Sequence, residues 1–376
     1  MADLDLAVTQ DVSQYLVNGP FASSDVVSLS GGFGNYAYRL KLRDEYHGRK
    51  TLVLKHGKAY IPGATSMAFD LARQNFEQTV MRQVRSLLPE DSLVTVPEVH
   101  LYDENAHVII MDDCGEDAVS LKDLLKSGVP LPLDTIRKIG TALGTFLTRL
   151  HNWGEGDQEA LDFFDRNKQA RVLSAWATYG RLVSTLSGED TYLTALTDPP
   201  LECTQDELEL VAKIAQETTD VVHSSRETLL MGDFWPGNVL LSLKQSDEKV
   251  DVERIFIIDW ELVKPGLRGM DIGQFCAEMH QMRRFFPATE PAVLALVSEF
   301  LGTYREMSKI ELTRVARIAL THVGAHLIAW TPRSGWEGKE TIRQVVAEGV
   351  QCLVDGYQGK PEKVDNSIVG RLTMSA

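Results

Sequence analysis

Two acids and an amide carry the chemistry available to this sequence. Met231-Gly-Asp-Phe-Trp-Pro-Gly-Asn238 sets Asp233 and Asn238 five residues apart on a segment bent by glycine and proline. About twenty residues later the apolar run Ile255-Phe-Ile-Ile258 delivers Asp259 at its end. One carboxylate can orient a hydroxyl, while a second carboxylate and an amide oxygen can hold Mg2+, a hard cation that prefers oxygen ligands. That combination suits phosphoryl transfer. The same residues also serve as plain turn formers and as a strand-end cap, so their surroundings decide between the two.

The elements before that loop read as a sheet. Residues 26–29 and 36–42 are strand-like and are joined by Ser30-Gly-Gly-Phe-Gly-Asn35. A hairpin tip containing Ser30, Gly31, Gly32, Gly34 and Asn35 can bring backbone N–H groups to phosphate oxygens, because no Cβ intervenes at the glycines; it can equally be a simple turn. In a third strand, 51–55, alternation puts Leu52 and Leu54 on one face and Val53 and Lys55 on the other. A helix over about 69–88 carries Phe76, Val80, Val84, Leu87 and Leu88 at helical spacing and turns Glu77 inward. An inward carboxylate needs a cation, and Lys55 is the candidate partner. Residues 94–102 and 106–111 complete five strands with one helix inserted after the third.

The polar crossing Asp112-Asp-Cys-Gly-Glu-Asp117 marks a boundary, giving expected domains 1–112 and 113–376, the second helical almost to its end. Its clearest helix begins at Asp134 and spaces Ile136, Ile139, Leu143, Phe146, Leu147 and Leu150 at three and four residues, with His151 and Trp153 closing it as packing residues. Thr204-Gln-Asp-Glu207 is a capping box that opens the helix leading to the Asp233 loop. Asp271 is an N-cap candidate for the helix after Asp259. His322, His326, Trp330 and Trp336 read as core or groove lining, and the residues from Lys360 onward as a loose tail.

Composition bounds the partners. The chain has 376 residues, 44% hydrophobic and 24% charged, with a formal net charge of −15. It can bury a core, and its charge argues against nucleic acid or an anionic membrane surface as the main partner. Cys114, Cys203, Cys276 and Cys352 are scattered without zinc-site or disulfide-framework spacing and are expected as free thiols. The N-terminus lacks the basic and apolar regions of a targeting signal, and no apolar run approaches the roughly 20 residues of a membrane span. A cytoplasmic location is therefore expected. The sequence carries no signal of oligomeric state.

Taken in order, Gly-rich hairpin, strand lysine, helix glutamate, polar crossing, Asp-x-x-x-x-Asn and strand-end Asp, the chain resembles the protein-kinase-like fold. In detail it resembles the aminoglycoside phosphotransferase and choline kinase branch, through Ser30-Gly-Gly-x-Gly-Asn35, Gly232-Asp-x-x-Pro-Gly-Asn238 and Ile258-Asp-Trp-Glu261. The resemblance covers residues 26–275. It implies an α+β, two-lobed fold, with an N-terminal five-stranded antiparallel sheet and one main helix, then a larger, mostly helical C-terminal lobe. It implies transfer of the γ-phosphate of ATP, with GTP as the alternative, to a hydroxyl of an amino sugar, amino alcohol or sugar-like metabolite. Asp233 then matches the catalytic Asp, and Asn238 and Asp259 match Mg2+ ligands. Lys55 matches the phosphate-contacting Lys paired with Glu77, Ser30 to Asn35 the loop over the phosphates, and backbone near Met111 and Asp113 the adenine hinge. Met231 stands where the family usually has His, in a packing position. Trp260-Glu261 after the metal Asp, in place of Phe-Gly, favours small-molecule kinases over protein kinases. The alternative of another class is a catalytically silent nucleotide-binding scaffold on the same fold.

Overall fold

The computed structural model describes residues 4–30, 32, 34–129, 131–245 and 250–374. The chain divides into two compact units: Met1–Ala118 with Phe256–Glu261, and Val119–Ile255 with Leu262–Ala376.

In the first unit, helix α1 (Thr9–Leu16) precedes strands β1 (Ser23–Leu29), β2 (Asn35–Tyr46) and β3 (Arg49–Gly57). Helix α2 (Arg73–Leu87) and strands β4 (Val99–Asp103) and β5 (Val108–Asp112) follow. The five strands form one sheet in the order β1-β2-β3-β5-β4, every neighbouring pair antiparallel. Period-two alternation gives the sheet two apolar faces. Leu52 and Leu54 of β3 join Tyr38, Leu40, Val108 and Ile110 in a cluster closed by Val12 and Leu16 of α1. Lys55, opposite Ala37 and Ile109 in the ladder, leaves on the other face, where α2 buries Phe76, Val80 and Val84.

Two differences from expectation have a local cause. Helix α2 starts at Arg73 rather than near 69, because Asp70 turns its carboxylate onto the Ala72 N–H at 2.9 Å and ends the preceding turn. The expected 94–102 strand is broken: β4 begins at Val99, after Pro97, which has no N–H to give to a ladder.

The second unit is built on helices α3 (Leu133–Gly156), α4 (Lys168–Thr178) and α5 (Gln205–Ser224). Short strand β6 (Thr228–Leu230) then leads into the Asp233 loop, followed by β7 (Val239–Gln245), β8 (Val250–Ile257) and β9 (Lys264–Gly266). Four longer helices follow: α6 (Gly269–Phe285), α7 (Glu290–Met307), α8 (Thr313–Trp330) and α9 (Lys339–Gln358). The apolar stripe of α3 is buried as its spacing predicts. Thr204 caps α5 in a reciprocal box, Glu207 N–H donating to Thr204 Oγ1 at 3.2 Å and Thr204 N–H to Glu207 at 2.8 Å. Strand β6 pairs antiparallel with β9, Leu230 opposite Lys264, which sets the start of the Asp233 loop beside Lys264. The C-terminal residues are not a loose tail. They form a short helix, Pro361–Asp365, and bury Val364, Val369 and Leu372.

Candidate active site

The Asp233 loop is held by its backbone before its side chains act. Gly232 has φ +83°, in the left-handed region that costs glycine nothing, and a Cβ there would collide with Leu262 O and Lys264 Nζ. Asp271 accepts hydrogen bonds from Met231 N (2.9 Å) and Gly232 N (3.0 Å). This corrects the N-cap expectation. Asp271 is the third residue of α6, within the helix, so its carboxylate serves the loop rather than its own helix terminus. Buried His151 braces it from α3, with Nε2 3.3 Å from Asp271 Oδ2 and Nδ1 2.8 Å from the Tyr304 hydroxyl. Burial pushes the His151 pKa down, so the neutral ring donates to Asp271 and accepts from Tyr304. Met231 is fully buried, in keeping with its expected packing role. Phe234 anchors the loop from below, its ring centroid 5.2 Å from Phe275 and 6.5 Å from Phe146.

On that frame Asp233 is fixed from two sides. Gln274 Nε2 donates to Oδ1 at 2.7 Å, and Asn238 Nδ2 donates to Oδ2 and to the Asp233 carbonyl, both at 3.0 Å. The Asn238 amide nitrogen is thus engaged with Asp233, which leaves the amide oxygen as the acceptor available to a cation. Asp233 and Gln274 line a cavity of about 200 Å³ whose walls include Tyr179, Leu230, Met270 and Trp330, with Lys264 and His322 among its polar groups.

The first unit brings Lys55, Glu77 and Asp259 together. Lys55 Nζ lies 2.6 Å from Glu77 Oε1 and 2.5 Å from Asp259 Oδ1. Burial alone would lower the Lys55 pKa, but the carboxylates of Asp259, Glu77 and Glu261 outweigh it and raise the pKa above the usual lysine value. Asp259 has φ +67°, an uncommon conformation for a residue with a Cβ. Its partly exposed carboxylate is a hard oxygen donor of the kind Mg2+ takes, and in the second unit the Asn238 amide oxygen is a donor of the same kind.

The Gly-rich segment is tied down through Glu261 and Arg73. Asn35 is buried and donates to Glu261 Oε2 at 2.7 Å, while Arg73 donates to Glu261 (3.1 Å), to Asn35 Oδ1 (3.2 Å) and to Gly34 O (2.8 Å). A Cβ at Gly34 would strike the Glu261 carboxylate and the Phe69 ring, so any larger residue there displaces them. Burial pushes the Glu261 pKa up to about 7, helped by Asp259. Ser30 and Gly32 are exposed, and Gly31 lies outside the described residues. At the far end of the sheet, Met111 pairs with Val53 and Val99. Asp113 accepts from Arg39 Nε (2.6 Å) and Nη2 (3.0 Å) and from Gly115 N (3.1 Å).

Gln274, Arg73 and Lys264, and the contacts of Glu261 beyond its place in the Ile258-Asp-Trp-Glu261 motif, are what sequence reasoning missed. For Gln274 a signal existed: it lies three residues after Asp271, on the same helical face. The others rest on pairings too distant in sequence to leave a local pattern. The four cysteines are free, and no helix among the described residues is long and apolar enough to cross a membrane.

A family model described as the phosphotransferase enzyme family matches residues 25–310. The 4-hydroxytryptamine kinase of Psilocybe cubensis is 29% identical over 339 residues, covering 89% of this chain and 88% of that protein. Its counterpart from Psilocybe cyanescens is 28% identical over 356 residues, 93% of each chain. A methylthioribose kinase of Bacillus cereus (strain G9842) is 26% identical over 269 residues, 69% of this chain and 61% of that one.

Proposed function

Because this chain belongs to the phosphotransferase enzyme family and is a small-molecule kinase that uses ATP, we propose that Asp233 is its catalytic carboxylate and that the cavity beside it receives the acceptor. The observation that carries this reading is the fixing of Asp233 by Gln274 and Asn238 at the wall of that cavity. Asp233 aims the acceptor hydroxyl and takes its proton as the oxygen bonds to the γ-phosphorus and ADP leaves. The transition state is loose, so aim and charge neutralisation matter more than base strength. Lys55, kept charged by Glu77 and Asp259, contributes positive charge to the phosphates, and Ser30 to Asn35 supply the loop over them. Backbone at Met111 and Asp113 receives the base. Asn238 and Asp259 are the residues that would hold Mg2+, whose chemistry is to neutralise charge on the phosphates. In this reading Met1–Ala118 with Phe256–Glu261 is the nucleotide-binding domain, and the remainder is catalytic and acceptor-binding.

The acceptor we propose is a hydroxylated aromatic amine. Apolar and aromatic walls suit a flat ring better than a sugar, and the 4-hydroxytryptamine kinases align with this chain over nearly their whole length. A cytoplasmic location fits the free cysteines, and the charge of −15 disfavours nucleic acid as a partner. The test is ADP release with MgATP and, in turn, 4-hydroxytryptamine, choline and methylthioribose. The expected result is the highest kcat/KM for 4-hydroxytryptamine. Turnover of choline or methylthioribose alone would overturn the acceptor class while leaving Asp233 its role.

A further inference from the structure

The cavity beside Asp233 contains a cation that the reading above does not use. Lys264 opens β9 opposite Leu230 and is only 3% exposed. Its side chain runs back toward the catalytic loop. Nζ packs against Gly232, where any Cβ would collide with it, and donates to Leu262 O at 3.1 Å. Among the described residues that is the one hydrogen bond of an ammonium with three N–H groups, and Lys264 lines the cavity. Such a group, out of water with donors unspent, is costly unless something in the cavity accepts from it.

Four charged or titratable groups act electrostatically with Lys264. They are Asp233 from the loop, Asp271 from α6, Arg171 from α4 and His322 from α8. Both carboxylates already have partners of their own: Asp271 serves Met231 N and Gly232 N, and Asp233 serves Gln274 and Asn238. Arg171 is held by Asp165, with Nη2 to Oδ1 at 2.6 Å. His322 is tied to the Tyr179 hydroxyl at 2.6 Å.

We propose that Lys264 donates a hydrogen bond to the acceptor's own hydroxyl oxygen and thereby selects aryl over alkyl alcohols. This rests on the reading of the cavity as the acceptor site. A cation at this depth repels an amine, so the acceptor enters with its hydroxyl toward Lys264 and its ammonium elsewhere. In the transfer, the acceptor O–H bond breaks with its proton passing to Asp233. The freed electron pair forms the new O–P bond, and the bond between the γ-phosphorus and the β,γ-bridging oxygen breaks with its pair leaving on ADP. An ammonium on the acceptor oxygen lowers that hydroxyl's pKa. For an aryl hydroxyl this brings ionisation within reach at neutral pH, whereas an alkyl hydroxyl remains far too basic. Because the transition state is loose, the nucleophilicity lost to the hydrogen bond matters little beside the gain in ionised oxygen. Burial pushes the Lys264 pKa down to about 8, against the pull of Asp271 and Asp233, so the ammonium persists at neutral pH and is lost above it.

The test compares wild type with Lys264→Met and Lys264→Gln, using MgATP and two probes that share an indole: 4-hydroxyindole and indole-3-ethanol. Both variants remove a buried charge, and their folding is checked by melting and by ATP calorimetry. The wild type is expected to prefer 4-hydroxyindole, with a kcat/KM that falls above about pH 8. Both variants should lose about 10- to 100-fold on 4-hydroxyindole and clearly less on indole-3-ethanol, and the alkaline limb should disappear. Equal losses on both probes, or unchanged selectivity with the limb retained, would overturn the inference. Wild type acting on indole-3-ethanol alone overturns it while the cavity keeps its assignment. Wild type acting on neither probe while binding ATP overturns the aryl-alcohol reading of the cavity and this inference together.

Discussion

Lys55 sits where burial alone would strip its charge, and three carboxylates keep it an ammonium. The opposite balance holds at His322. Burial pushes its pKa down to about 3, with His326 adding to the effect, and the neutral ring pairs with the Tyr179 hydroxyl. The consequence for stability has a definite sign. An unfolded His takes up its proton near pH 6.5, whereas folded His322 does not until about pH 3. Its contribution is therefore complete above pH 6.5 and is lost as pH falls through the window between the two values, with a slope of up to about 1.4 kcal/mol per pH unit. Melting temperatures from pH 7 to pH 5 should fall less steeply for His322→Gln than for wild type; parallel curves would show that His322 is not the group taking up the proton. Asp233, Asn238, Asp259, Lys55 and Glu77 were legible as candidates, because charged or amide residues on turns or inward faces break the apolar pattern. Lys264 was not, since a lysine before Pro265-Gly266 reads as part of a solvated turn.

Among the elements, the five strands and α2 were legible from period-two and helical spacing, which a sheet with two covered faces and one packed helix must write into the sequence. Strand β9 was not: its three residues include a proline and a glycine, and its pairing with β6 spans more than thirty positions. The C-terminal helix Pro361–Asp365 is too short to show a period. Yet the β6–β9 pairing places Leu262 and Lys264 against Gly232 and so demands the absence of a side chain there. Gly232→Ala combines a left-handed backbone with a collision, and is expected to cost about 1–3 kcal/mol of stability. It should also lower turnover by displacing Asp233. A variant with wild-type melting and turnover would contradict the account of how this loop is held.

For the whole molecule, a charge of −15 biases encounter with cationic acceptors. Such steering is screened beyond about 8 Å at physiological ionic strength. The KM for a cationic acceptor should therefore rise as salt is raised from about 50 to about 300 mM, while that for a neutral analogue stays level. Equal salt responses would limit recognition to groups inside the cavity. Catalysis through Asp233 is put to the test by Asp233→Ala, measured for both acceptor-dependent ADP release and calorimetric ATP binding. Turnover is expected to fall by about 100-fold or more, with ATP affinity nearly unchanged. Retained turnover in Asp233→Ala would contradict catalysis through Asp233, as would a wild type that binds ATP and transfers phosphate to no hydroxyl acceptor.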